Sequence, residues 1–195
     1  MFHKEGYTTI VISMFIIGIS ILALDKFVTN EIVNRIISFC LLVVFLLILF
    51  IYKIPKRRFR RDDTTVLAPF DGKVVKISEN EYSEELGEKV NKITIQRGFW
   101  DYRMILYPIS GEIEENQNEK GKIGLKINNI NIIIDNEQDV IFYDNVGKNI
   151  KQGEDAGFIK KCRKIDIYLP LNSKINVHLY SKIKGGQDSI ASLSI

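Results

Sequence analysis

Two apolar runs without a single charge dominate the first 52 residues of this chain. They are "GYTTIVISMFIIGISILAL", Gly6 to Leu24, and "IISFCLLVVFLLILFIY", Ile36 to Tyr52. They are 19 and 17 residues long, against the roughly 20 that cross a bilayer core as a helix. Asp25, Lys26, Asn30, Glu31, Asn34 and Arg35 form a short polar turn between them. The pattern predicts a membrane hairpin over residues 1–52, with helices at about 6–24 and 36–52. A cleaved leader does not fit, because the first run lacks a small-residue cleavage site and a second run follows. The second run suits either a full span or a re-entrant hairpin, and two charge-free runs in succession favour spanning.

A basic collar follows at once. Lys53, Lys56, Arg57, Arg58, Arg60 and Arg61 put six positive charges into nine residues of a linker over 53–65. Without them the net charge of +3 becomes −3. The charge is local, unlike the basic face of a nucleic-acid-binding domain, so no nucleic-acid partner is expected. A collar of this kind keeps its side of the membrane cytoplasmic. The N-terminus, with His3 and Lys4, then lies on the same side as the rest of the chain. The same six residues would also attract anionic phospholipid headgroups, by about 1 kcal/mol each near the surface. Two cysteines, Cys40 and Cys162, and two histidines, His3 and His178, make no zinc pattern, and no metal site is expected.

Residues 66–195 read as a mainly-β domain. "GKVVKIS", "VNKITIQ", "DYRMILYP", "IGLKIN", "INIIID", "DVIFYD", "KIDIYLP" and "KINVHLY" are the strand candidates. In "KIDIYLP", Ile165, Ile167 and Leu169 alternate with Asp166 and Tyr168. In "KINVHLY", Ile175, Val177 and Leu179 alternate with Asn176, His178 and Tyr180. Such alternation of β-branched and polar residues marks half-buried strands. Glycines at 72, 87, 111, 121, 147, 153, 185 and 186 separate the runs, which suggests a sandwich or barrel-like fold. No long amphipathic helix is evident after residue 62. "NVGKNIKQGEDAGFIK" reads as a tight hairpin and resembles the turn of lipoyl- and biotinyl-type barrel-sandwich domains. No lysine sits in an attachment motif of those carriers, so a swinging-arm role is not expected.

Several stretches in order resemble the short bacterial and archaeal phosphatidylserine decarboxylases. "HKEGY" at residues 3–7 is similar to the start of that family, and "IPKRRF" to its element after the second helix. "LAPFDGKVVKI", "YPISGEI", "GEDAGFIK" with "IDIYLPLNSKINV", and "GGQDSIA" resemble its later strands and its ending. The resemblance implies a membrane hairpin followed by a barrel-sandwich-like β domain, at the inner (cytoplasmic) membrane. It also implies a specific chemistry. In the family, a serine of a Gly-Ser pair attacks the preceding carbonyl, the chain breaks, and a pyruvoyl group remains as electron sink for decarboxylation. An aspartate and a histidine support the cleavage.

The family positions transfer unevenly. The aspartate falls on Asp71 in "FDGK", where a turn residue beside Gly72 is the plainer reading. Counted back from Pro108, the histidine falls on Arg103. Counted from both flanks, the Gly-Ser pair falls on Cys162 and Arg163. The family's Asn-Glu-Arg segment is not recognisable. Arginine has no β-oxygen with which to attack, and an arginine does not shuttle protons as a histidine does. The expectation is therefore a catalytically inactive relative without a cofactor, binding anionic phospholipid or a partner. That partner would be an active decarboxylase paralogue or another enzyme of phospholipid synthesis. The alternative is an active decarboxylase whose pyruvoyl group arises from Cys162, a thiol among Lys160, Lys161, Arg163 and Lys164; the plain reading of that cysteine is a small apolar residue at a strand edge. An unrelated adaptor is the third option. Trp100, Asp101, Tyr102 and Arg103 are a candidate contact surface, unless Phe99, Trp100 and Tyr102 merely pack within a strand.

Overall fold

The computed structural model describes residues 3–54, 57, 62, 64–84, 86–119, 122–128, 130–134, 140–161 and 163–193. The chain divides into two compact units, Met1–Pro55 and Lys56–Ile195.

The first unit is a two-helix apolar hairpin. A short 3-10 turn, Lys4–Gly6, leads into α1 (Tyr7–Phe27), and α2 spans Glu31–Ile51. Neither α1 nor α2 buries a residue within the protein, and both are long and apolar enough to cross a membrane. The second helix starts five residues earlier than its charge-free run. Asn30 is the reason: its side-chain oxygen accepts from the Ile32 and Val33 amides at 3.0 and 3.3 Å. That cap satisfies amides the helix cannot pair itself. Glu31 then sits in the first turn, where negative charge is favoured, and faces Arg35 one turn on at 3.5 Å. Asn34 donates to Asp25 at 2.7 Å and ties the two helices together. At the other end, the His3 amide donates to the Tyr52 carbonyl at 2.9 Å.

The second unit is mainly β. In chain order its strands are β1 (Thr65–Leu67), β2 (Gly72–Ser83), β3 (Glu88–Gln96), β4 (Met104–Leu106), β5 (Gly111–Glu119), β6 (Lys122–Ile127), β7 (Ile130–Ile134), β8 (Val140–Phe142), β9 (Asn149–Ile150), β10 (Asp155–Ile159), β11 (Lys164–Leu169), β12 (Ser173–Ile175), β13 (Lys182–Ile183) and β14 (Ser189–Leu193). The largest sheet runs β13-β2-β3-β11-β7-β6-β5-β9, and two three-stranded sheets run β1-β14-β12 and β4-β10-β8. The pairings are antiparallel. Among the described residues of this unit there is no helix.

Alternation builds the core. Ile93 and Ile95 of β3 and Ile165, Ile167 and Leu169 of β11 are buried together with Leu125, Ile127 and Ile132. Tyr168, on the opposite face of β11, is buried too, in a small second cluster with Val90 and Ile133. One strand therefore feeds two apolar layers.

Four segments depart from the sequence reading. "KINVHLY" is a strand only as far as Ile175, and Leu179 and Tyr180 stand exposed at a turn. "DYRMILYP" is a strand only over Met104–Leu106. The stretch around residues 145–160 is not a hairpin: β9 pairs with β5, whereas β10 lies between β4 and β8. Gly157 makes that central position possible, because a Cβ there would strike the Ile141 carbonyl of β8. "GEIEENQNE", too acidic to read as a strand, is β5, held by pairing to β6 over most of its length.

Candidate functional site

Asp71 sits in the turn that opens β2, and its carboxylate is fully engaged. Arg57 meets it with both terminal nitrogens: Nη1 donates to Oδ1 at 2.5 Å, and Nη2 pairs with Oδ2. The Gly185 amide also donates to Oδ1, at 2.8 Å. Arg57 Nη1 reaches the Gly185 carbonyl as well. A planar guanidinium fits a carboxylate in this two-pronged way. The two side chains are only 9% and 12% exposed. Glycine is required at 185, since a Cβ would lie 2.7 Å from the Phe70 Cα. That close approach is what lets the 185 amide reach Asp71.

Strand register brings Arg163, the residue counted onto the serine place, to the end of the large sheet at which Asp71 leads into β2. Lys73 of β2 is opposite Gln96 of β3, and Gln96 is opposite Lys164 of β11. The next residue of β3's chain, Arg97, donates its amide to the Arg163 carbonyl at 2.7 Å. Asp71 and Arg163 thus flank adjacent ends of a three-strand row. Arg103 joins from the β4 side. Its carbonyl accepts from the Ile159 amide at 2.7 Å, and its guanidinium donates to the Lys160 carbonyl at 3.0 Å. Arg57 lies over the Tyr102 ring at 5.5 Å and so links Asp71 to the Arg103 segment.

The three positions hold two guanidinium groups and one carboxylate. The Arg163 side chain is exposed and carries no nucleophile. Arg103 is tied to a backbone carbonyl and offers no imidazole. Asp71 has three donors on its two oxygens, the arrangement of a structural ion pair and not of a poised base. The residues present therefore do not fit a pyruvoyl group formed at position 163. Cys162 lies outside the described residues, as do Lys56, Arg58, Arg60 and Arg61 of the collar. Lys53 lies in the helical unit, and Arg57 is the Asp71 partner. That pairing was hidden in the sequence, because one arginine in a cluster looks like its neighbours. Its only trace was the short interval between the collar and "FDGK".

A cleft of about 730 Å³ opens beside Asp71. Gly98, Phe99, Trp100 and Asp101 form one wall, Tyr180 another, and Lys73, Lys182 and Lys184 add positive charge. Phe99 and Trp100 stand exposed edge to face, with ring centres 5.1 Å apart. They do not pack within a strand. Among the described residues no group of three or more His, Cys, Asp or Glu is placed to hold a metal ion.

Fold and site define a β domain joined to an apolar helical hairpin, with an arginine-clamped aspartate beside an open cleft. The chain is similar over nearly its whole length to three proteins named phosphatidylserine decarboxylase proenzyme. That of Amoebophilus asiaticus is 29% identical, covering 98% of this chain and 96% of its own. That of Cytophaga hutchinsonii is 26% identical and covers 97% of each. That of Porphyromonas gingivalis is 28% identical and covers 98% of each. These likenesses over nearly the full length support membership in the phosphatidylserine decarboxylase family. No family model matches it. Among solved structures, glucose permease IIA from Mycoplasma capricolum is similar with a TM-score of 0.45 and 16% identity, over 69% of this chain and 98% of that one. That likeness is too remote to bear on function.

Proposed function

We propose that this chain is a membrane-anchored relative of the phosphatidylserine decarboxylases that neither cleaves itself nor decarboxylates. It acts in phospholipid metabolism by binding anionic lipid or a partner enzyme. The observation that carries this reading is the state of the three family positions. Arginine occupies the serine and histidine places, and Asp71 is locked to Arg57 and Gly185. The hairpin spans the inner membrane, with the N-terminus and the β domain in the cytoplasm, and the collar supports that orientation. The β domain is a barrel-sandwich of the decarboxylase kind. The partner is an active decarboxylase or another enzyme of phospholipid synthesis.

The test is chemical. Purified full-length protein, mixed with phosphatidylserine in detergent micelles, should release no carbon dioxide and should carry no carbonyl that reacts with hydrazine. Cys162→Ala should change neither result. Carbon dioxide release that disappears in Cys162→Ala would establish the cysteine-derived pyruvoyl enzyme instead.

A further inference from the structure

Two tight turns of the β domain each present a pair of large apolar side chains to solvent. In the first, the Gly98 amide donates to the Asp101 carboxylate at 2.7 Å, and the tip carries Phe99 and Trp100, 66% and 61% exposed. In the second, the Ser181 amide donates to the His178 carbonyl at 3.1 Å, and the tip carries Leu179 and Tyr180, 48% and 63% exposed. Tyr180 adopts φ +67°, a conformation an aromatic residue rarely takes, and its amide is held by the Val74 carbonyl at 2.8 Å. Backbone strain that turns a large ring outward gains nothing for the core. Phe99, Trp100 and Tyr180 line the same cleft.

The charge between the tips is predominantly positive. The cleft lining includes the cations Lys73, Arg97, Lys182 and Lys184 and the carboxylates Asp71 and Asp101. Asp71 is neutralised by Arg57, and Asp101 is engaged by the Gly98 amide. The three lysines are exposed, and Lys73 lies 4.9 Å from the Tyr180 ring. Exposed aromatic tips with lysines between them are the combination that settles at a bilayer interface. Amphipathic rings seat at headgroup level, and ammonium groups meet anionic lipid. A soluble protein partner would require an apolar patch to match, whereas the lysines call for a dense anionic surface.

We infer that the Phe99–Trp100 and Leu179–Tyr180 turns, with Lys73, Lys182 and Lys184, form a bilayer-docking surface selective for anionic phospholipid. This surface deepens the lipid-binding reading above and rests on its membrane anchor, though not on the absence of self-cleavage. The cleft between the tips then faces the headgroups.

Trp100 is the chain's one tryptophan, so it reports directly on one tip. Full-length protein is reconstituted into vesicles of phosphatidylcholine, with or without phosphatidylglycerol, each carrying brominated acyl chains as quencher. Flotation with both vesicle types checks the anchor separately; failure to float would overturn the membrane reading as a whole. Lipid quenching of Trp100 should be about twofold or more stronger in the anionic vesicles, and it should weaken at high salt. The Lys73→Gln, Lys182→Gln, Lys184→Gln triple variant, exposed at all three positions, should lose that difference while floating normally. Tyr180→Ser should weaken quenching in anionic vesicles. Equal lipid quenching in both vesicle types overturns the proposal. So does quenching by aqueous iodide alone, and so does shielding from both quenchers, which would mean that protein covers the tips.

Discussion

The guanidinium of Arg57 grips both carboxylate oxygens of Asp71, fourteen residues further along the chain. The pair is nearly buried and takes in the Gly185 amide, so one junction joins the start of the domain, the turn before β2 and the turn after β13. Breaking one side of such a pair leaves a charge stranded away from water. Arg57→Met and Asp71→Leu should each destabilise the β domain by about 3–5 kcal/mol. The double variant should cost clearly less than the two together, because no charge is left unpaired. Thermal unfolding of the full chain in detergent measures this cycle; simple additivity would show that the pair carries no coupling.

Alkaline pH should weaken the fold through two groups. The Tyr107 hydroxyl is buried and donates to Asp144 at 2.9 Å. Burial and the neighbouring Asp144 carboxylate push its pKa well above the usual tyrosine range. Burial alone would lower the Lys92 pKa. Its ion pair with Asp166 at 2.7 Å and its contact with Tyr168 outweigh that and raise it. Both groups hold their protons more tightly when folded. Their stabilisation is complete below their unfolded pKa values, near 10, and is lost as pH rises through the higher folded values. Unfolding midpoints should fall from about pH 10 upward, and Tyr107→Phe should flatten that fall. An unchanged slope in Tyr107→Phe would remove Tyr107 from the account.

The proposed topology also has a direct check. A cysteine at Asn30, in a Cys40→Ser background, should label with an impermeant reagent from outside intact cells. A reporter fused after Ile195 should be active only in the cytoplasm. Labelling of the C-terminal domain from outside would reverse the orientation.

The helical hairpin was legible in the sequence because two long charge-free runs flank one short polar turn. Its boundary was not, because a cap such as Asn30 recruits charged residues into a helix that hydropathy alone would stop short. Core strands such as β3 and β11 were legible from alternation. Alternation misled at "KINVHLY", where the apolar residues after Ile175 serve a turn tip, and at "DYRMILYP", where Asp101 closes a turn on Gly98. β5 was invisible because its partners, and not its own residues, make it a strand. At the site, motif resemblance picked out Asp71 but not its state. Arg57 and Gly185 reach it from 14 and 114 residues away, distances at which a pattern of residue types carries no information about pairing.

The central claim of the proposed function is that this chain, similar to phosphatidylserine decarboxylase proenzymes, stays whole. A pyruvoyl group formed from Cys162, one residue before the serine place, would require the chain to break between Lys161 and Cys162 and give pieces of 161 and 34 residues. The intact mass of the purified protein decides the matter. The account predicts a single species near 22.5 kDa. A 34-residue C-terminal fragment whose first residue, at position 162, is blocked by a pyruvoyl group would contradict it.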